Sequence, residues 1–183
     1  MLIVEGMDNT GKTTLVETLK EKLGFKEVVK SLGAVSYRKL FIFADKYITG
    51  MEKIRLAKKP VTVYPIIHDR FPVFSDQVYG SILRNTNPFV ELNEGDWLVR
   101  RLWMLAPTII YCRPTTERII KFDDREQMEG VKDNALVLLG RYDEVMLYWE
   151  RKTGVPVFRY SYETDTVDHL LEKLSTRGWT IDG

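Results

Sequence analysis

Gly6-Met7-Asp8-Asn9-Thr10-Gly11-Lys12-Thr13 fits the pattern Gly-x-x-x-x-Gly-Lys-Ser/Thr, and its position gives that pattern a physical meaning. It follows an apolar run, Leu2-Ile3-Val4, and precedes a helical pattern. Glycines in such a turn let the backbone wrap a phosphate with its N–H groups unobstructed, while the helix that follows points its positive end at the same anion. The loop residues Gly6, Asn9, Thr10, Gly11, Lys12, Thr13 and Thr14 are therefore read as the binding site of a nucleoside triphosphate. Lys12 is expected to reach the β- and γ-phosphates, and the Thr13 hydroxyl to ligate Mg²⁺. ATP and Mg²⁺ are the expected cofactors.

Working outward, apolar runs alternate with longer amphipathic stretches in a strand–helix rhythm. That rhythm predicts an α/β fold of the P-loop NTPase type, with a five-stranded parallel sheet and helices on both faces. Strands are expected near Leu2–Glu5, Phe25–Val29, Val61–Ile67, Thr108–Cys112 and Val155–Tyr160. Helices are expected after Lys12 and over Tyr37–Ala57, Val73–Arg84, Pro88–Leu105, Thr115–Phe122, Val131–Lys152 and Thr166–Thr176. Leu136, Leu139, Tyr142, Val145 and Tyr148 carry the helical spacing of the longest late segment. Gly154 and Pro156 then punctuate the passage to the last strand.

With 183 residues, 44% of them hydrophobic and 29% charged, the chain suits a single kinase-sized domain covering 1–183. A formal charge of +1 offers no strongly basic surface for nucleic acid or membrane. The only cysteine, Cys112, excludes an intramolecular disulfide and a cysteine-based metal site, and reads as a small buried residue. No apolar stretch is long enough for a bilayer, and the phosphate loop follows too closely on Met1 for a signal peptide, so a cytoplasmic protein is expected.

A phosphate loop alone does not separate a kinase from a switch. The run Val61–Ile67 leads into His68-Asp69-Arg70, and carboxyl ends of strands in such sheets line the ligand crevice. Asp69 there can hold a metal's water shell, and Arg70 can clamp a phosphate with two parallel hydrogen bonds. His68 reads as a packing residue, because phosphoryl transfer needs positioned positive charge more than a proton acceptor. The dense charged segment Asp123–Gly130 contains Arg125, which a lid could close over the transferred group. Arg113 is left without a role. The aromatic stripe around Phe41 and Phe43 is as readily core as the wall of a base pocket.

Together these stretches resemble the thymidylate kinase family of nucleoside monophosphate kinases over nearly the whole chain. Leu40-Phe41-Ile42-Phe43-Ala44-Asp45-Lys46 is similar to the family's apolar helix ending in Ala-Asp-Arg. Asp69-Arg70-Phe71 followed by Ser75 and Tyr79 is similar to its Asp-Arg-Tyr continuation, and Asp124-Arg125-Glu126 to its lid. The resemblance implies that Asp8, Ile42, Phe43, Lys46, Arg70, Ser75 and Tyr79 contact the acceptor nucleotide, Asp8 at the sugar 3′-hydroxyl. It implies catalytic roles for Lys12, Asp69, Arg70 and Arg125, a metal held through Thr13 and Asp69, and a homodimer. The departures are Lys30-Ser31-Leu32-Gly33-Ala34 in place of Arg-Glu-Pro-Gly-Gly, Lys46 in place of arginine, Ile42 in place of a stacking ring, and Gly80 in place of glutamine. The expected reaction is transfer from ATP to a thymidylate-like or modified pyrimidine deoxynucleoside monophosphate. Two alternatives stay open: a kinase of a hydroxyl acceptor, a deoxynucleoside or a hydroxymethylpyrimidine free or in DNA, and a nucleotide-dependent switch. Nucleic acid is a partner only under the first of these.

Overall fold

A computed structural model describes residues 1–33, 35–60, 64–115 and 129–180. Among these, five strands form one parallel sheet: β1 (Leu2–Gly6), β2 (Glu27–Lys30), β3 (Ile66–Asp69), β4 (Thr108–Cys112) and β5 (Val157–Tyr160), in the order β2-β3-β1-β4-β5. The central strands β1 and β4 are buried at every position, as expected where helices cover both faces. The connection from β1 runs to one edge of the sheet, whereas β4 lies on the other side of β1. The carboxyl end of β1 is thus the switch point at which a crevice opens.

Seven described helices flank the sheet: α1 (Lys12–Lys22), α2 (Tyr37–Leu56), α3 (Pro72–Leu83), α4 (Pro88–Glu91), α5 (Asn93–Leu105), α6 (Ala135–Thr153) and α7 (Val167–Ser175). Successive side chains of β1 serve opposite faces, so Ile3 joins the core beneath α2, α3, α5 and α6, while Leu2 and Val4 join the smaller core under α1 and α7. No described helix is long and apolar enough to cross a membrane.

The elements expected within the described residues are present, with shifted ends. β2 starts at Glu27 and β5 at Val157, each two residues later than the apolar runs suggest. Among the described residues β3 is Ile66–Asp69, with the Pro65 carbonyl just before it accepting the Lys26 and Glu27 N–H groups; Val61–Val63 lie outside the described residues. The helix expected over Pro88–Leu105 is two helices. Leu92 is extended (φ −105°, ψ 134°), and the Glu91 carboxylate accepts the Asn87 N–H at 2.8 Å, closing the short α4 on itself. α6 starts at Ala135 rather than Val131, after a turn in which the Gly130 carbonyl accepts from both the Asn134 backbone and its side-chain amide. The helix expected at Thr115–Phe122 falls almost wholly outside the described residues.

α4 and α5 meet so closely that a Cβ on Gly95 would lie 2.1 Å from the Pro88 carbonyl oxygen and 2.7 Å from the Phe89 Cα. Gly140 in α6 meets nothing within 4 Å. Gly95→Ala is therefore expected to destabilise by about 1–3 kcal/mol through overpacking, whereas Gly140→Ala gains up to about 1 kcal/mol of helix propensity. Thermal unfolding of the two variants checks the opposite signs, and a raised Tm for Gly95→Ala refutes the close packing.

Candidate active site

The phosphate loop takes its shape from positive-φ conformations that glycine accepts most readily. Gly6 has φ 142° and Gly11 φ 75°, with Asn9 also left-handed at φ 58°. A Cβ on Gly6 would stand 2.5 Å from the Cys112 carbonyl oxygen of the neighbouring strand, and one on Gly11 would stand 2.9 Å from the Tyr162 ring. Thr10 Oγ1 donates to the Met7 carbonyl at 2.9 Å, and Lys12 Nζ donates to the same oxygen, so the loop closes on its own lysine. α1 begins at Lys12 with no capping side chain and no acid in its first turn. Its N-terminal amides face a cavity of about 300 Å³ lined by Asp8 through Thr14 together with Asp69 and Arg70. Burial, helped by the nearby Arg70, lowers Lys12 to about 8, so its ammonium is held at a cost that an arriving anion would relieve.

Arg70 is the next residue after β3 and adopts φ 67°, which is uncommon outside glycine. Its backbone N–H donates to the Val4 carbonyl at 2.9 Å, its Nε to the Gly6 carbonyl at 3.3 Å, and its Nη2 to Asp8 Oδ1 at 2.5 Å and Tyr79 Oη at 3.2 Å. The Asp8 N–H donates to the same tyrosine oxygen at 3.2 Å. Glu5, one residue before the loop, is fully buried; its Oε1 accepts the Phe71 N–H at 2.5 Å and its Oε2 the Tyr142 hydroxyl at 3.5 Å. Burial raises Glu5 to about 8, against the lowering influence of the Phe71 N–H, Arg70 and Lys12. Tyr142 in turn packs against Tyr111 and Tyr79, with ring centroids 5.8 and 6.0 Å away.

A second cavity, of about 200 Å³, is lined by Lys30 to Gly33 at and beyond the end of β2, by Asp69 and Arg70 at the end of β3, and by Ser75, Asp76 and Tyr79 of α3 with its cap Arg84. Asp69 and Arg70 are common to both cavities, so they stand where a donor in one would meet an acceptor in the other. Thr13 and Asp69 both border the loop cavity. No described group of three or more His, Cys, Asp or Glu could cage a metal. A hydroxyl plus one carboxylate nonetheless suits Mg²⁺, which keeps waters and takes phosphate oxygens as its remaining ligands.

Of the residues expected at the acceptor, Asp8, Arg70, Ser75 and Tyr79 are gathered here. Ile42, Phe43 and Lys46 border neither cavity. Ile42 is 62% exposed, Phe43 packs on Tyr47 with centroids 4.9 Å apart, and Lys46 Nζ lies 4.9 Å from the Tyr47 centroid. Arg125 and most of the segment 123–130 lie outside the described residues. Arg113 is held by Asp143 at 2.9 Å through two nitrogens, a structural tie to α6. His68 is fully buried between Tyr47 and Phe71, and burial lowers it to about 3, which suits packing rather than proton transfer. Sequence reading missed Lys30, Asp76, Arg84 and Tyr142. Asp76 follows Ser75 directly, and its being the one charged residue within α3 was the available signal.

No family model matches the chain, and no curated protein matches it. Solved structures do. The YorR protein of Bacillus subtilis, in complex with phosphorylated GDP, superposes with a TM-score of 0.61 at 19% identity, covering 96% of this chain and 93% of that one. Deoxyadenosine kinase from M. mycoides with bound dCTP gives a TM-score of 0.51 at 20% identity over 96% of this chain and 100% of that one. The same kinase with bound dATP gives 0.51 at 20% identity over 95% and 98%. At these identities the likeness establishes the fold alone: the chain shares with these structures an α/β architecture built on a five-stranded parallel sheet.

Proposed function

We propose that this chain is an ATP- and Mg²⁺-dependent nucleotide kinase that transfers a phosphoryl group to a deoxynucleoside monophosphate, thymidylate-like or a modified pyrimidine, and gives the diphosphate. The observation that carries this reading is the pair of cavities joined at Asp69 and Arg70. A switch protein needs the first cavity only. Lys12 and the loop amides would hold the donor phosphates, with Thr13 and Asp69 holding Mg²⁺, which neutralises charge on the phosphate oxygens when bound. Arg70, fixed by Asp8 and Tyr79, would hold the acceptor in line. Positioning and charge compensation then supply most of the acceleration.

An anionic acceptor is favoured by the walls of the second cavity. Lys30, Arg70 and Arg84 bring three cations to it, against the carboxylates of Asp69 and Asp76. Glu5 is a poor base for a hydroxyl acceptor, since it is shut from solvent with both oxygens engaged. A second reading, a kinase of a hydroxyl acceptor with Asp69 as its base, is favoured by the fold shared with a deoxyadenosine kinase. Incubating the protein with ATP and a panel of deoxynucleosides, deoxynucleotides and DNAs, and following phosphate transfer, separates the readings. Transfer to monophosphates supports the first, transfer to nucleosides alone the second, and ATP binding with no transfer the switch.

Arg70→Ala is expected to raise the acceptor KM by at least roughly tenfold while the ATP KM changes much less, because the lost guanidinium is a charge-assisted phosphate contact. Steady-state kinetics varying each substrate reads this, and a collapse confined to ATP binding overturns the assignment. Lys12→Ala is expected to fold, as circular dichroism reports, and to lose at least about 100-fold in kcat. The lowered lysine also predicts a pH limb. With the free-enzyme value near 8, the binding-competent ammonium is lost as pH rises through that value, so kcat/KM for ATP falls above it. Glu5 titrates in the same range, and Glu5→Gln distinguishes the two: the fall persists if it belongs to Lys12.

A further inference from the structure

The amino ends of the strands, opposite the candidate active site, carry a third cavity, of about 450 Å³, larger than the two that meet at Asp69 and Arg70. The ends of α2 and α5 and the chain beyond α7 converge on it, and Val155 borders it on the way into β5. Its charged lining is Arg55, Lys58, Lys59 and Arg177, with no carboxylate. Its apolar lining includes the buried Met51 and Val155, while Met104, 74% exposed, stands at its edge.

None of the four cations forms an ion pair among the described residues. Arg55 Nη1 donates to the Met104 carbonyl, which ties the end of α2 to the end of α5. The Lys58 N–H donates to the Arg55 carbonyl at 2.9 Å and the Lys59 N–H to the Ile54 carbonyl at 3.2 Å, the paired bonds of a Schellman turn. Lys58 takes the left-handed position of that turn, at φ 55°, where glycine is the usual residue. The backbone gains nothing from a lysine there, but the cavity gains a cation. Helix C-termini favour nearby cations one at a time. Four around one concavity repel one another, and no acid in the lining offsets this, so the cavity as a whole favours an anion.

A bare inorganic anion would leave the apolar lining unused. Methionine sulfurs make favourable contacts with aromatic rings, and guanidinium planes stack on them. Met51, Met104 and Arg55 therefore suit a flat ring, and the remaining cations a chain of phosphates. A concavity of this volume is the size of a small-molecule site rather than a track for a polymer. We propose that this cavity is a separate, non-catalytic site for a nucleoside triphosphate, with the ring against Met51 and Met104 and the phosphates at Lys58, Lys59 and Arg177. No carboxylate, hydroxyl or imidazole lines it, so it binds its ligand without transforming it. The site stands apart from the reaction proposed for the other two cavities and does not depend on it.

The test follows the methionine methyl resonances of the full chain by NMR, with Met51→Leu and Met104→Leu assigning the two signals, during titration with dATP, dTTP, inorganic tripolyphosphate and deoxyadenosine. The Met51 and Met104 signals are expected to shift with both triphosphates, with a Kd no weaker than about 1 mM. Tripolyphosphate and deoxyadenosine should each bind at least about tenfold more weakly, because each keeps only one half of the contacts. Lys58→Gly with Arg177→Gln should weaken the triphosphates at least about tenfold through the lost charge-assisted contacts. Lys58→Gly alone should melt no lower than the native chain, since glycine fits the left-handed position, so lost binding is not lost folding. Lys12→Ala should leave the two shifts intact. Their disappearance in Lys12→Ala would mean that they report the phosphate loop, and would overturn the proposal. So would tripolyphosphate binding as tightly as the nucleotides, shifts that survive the double substitution, or co-sedimentation with phosphatidylglycerol vesicles without any nucleotide-induced shift, which would assign the cations to a lipid surface.

Discussion

Arg70 is the hinge on which the candidate site is assembled. It leaves β3 in a left-handed conformation and binds two carbonyls of β1, Val4 through its backbone and Gly6 through its side chain, so the ends of the two strands cannot drift apart. Its Nη2 donates to Asp8 and Tyr79, which ties the phosphate loop to α3. One residue thereby sets the distance between the two cavities. An unfavourable φ on a non-glycine residue costs of order 1–3 kcal/mol, and it persists because four separate contacts define the geometry.

The buried polar residues beneath this hinge follow the same logic. Glu5 lies at the centre of the sheet with no access to water, where an unpaired carboxylate would be strongly destabilising. It is tolerated because the Phe71 N–H and the Tyr142 hydroxyl bond to it and Arg70 and Lys12 lie close. Phe71 follows Arg70 in the chain, so the bond to Glu5 pins the backbone on the far side of the arginine. Tyr142 brings α6 into the same arrangement and supports Tyr79 through ring contact. The polar network therefore links β1, β3, α3 and α6 at one end of the sheet, while apolar packing holds the rest.

How far the sequence could be read followed the range of the interaction concerned. The phosphate loop is local: its glycines, lysine and threonine lie within eight residues, and the steric demand of each is met in place. Asp69 and Arg70 were legible because the end of a parallel strand is a known location in the fold, whatever its exact bounds. Ile42 and Lys46 show the limit. Their assignment followed from resemblance, but which side of α2 meets the crevice depends on how the helix is rotated. Asp45, between them, is bound by Arg101 of α5, and Arg101 also grips Glu52 at 2.6 Å. That clamp orients α2 from a residue 56 positions away in the chain, which no periodicity within α2 reveals. Asp76 and Arg84 were hidden for a related reason, since eight residues of separation become a contact only when the helix ends where it does and the arginine folds back.

Lys12 shows how such a site can be built before any anion arrives. Its ammonium is buried and donates to the Met7 carbonyl, an acceptor belonging to the loop it would serve. That bond preserves the position of the amine, yet it only partly offsets desolvation, as the lowered value near 8 records. Under the proposed reaction a phosphate oxygen offers the lysine full opposite charge, and the amides at the start of α1 offer the phosphate further donors. Because those groups are already oriented, little reorganisation opposes their action on charge that develops during transfer. The second cavity is arranged differently, with cations and carboxylates interleaved rather than a single sign of charge. Such a wall can hold a phosphate at Arg70 while setting groups of both signs against the rest of the ligand. Under the proposed reaction the two cavities would hold donor and acceptor, the first gripping phosphates and the second meeting its ligand with both signs of charge.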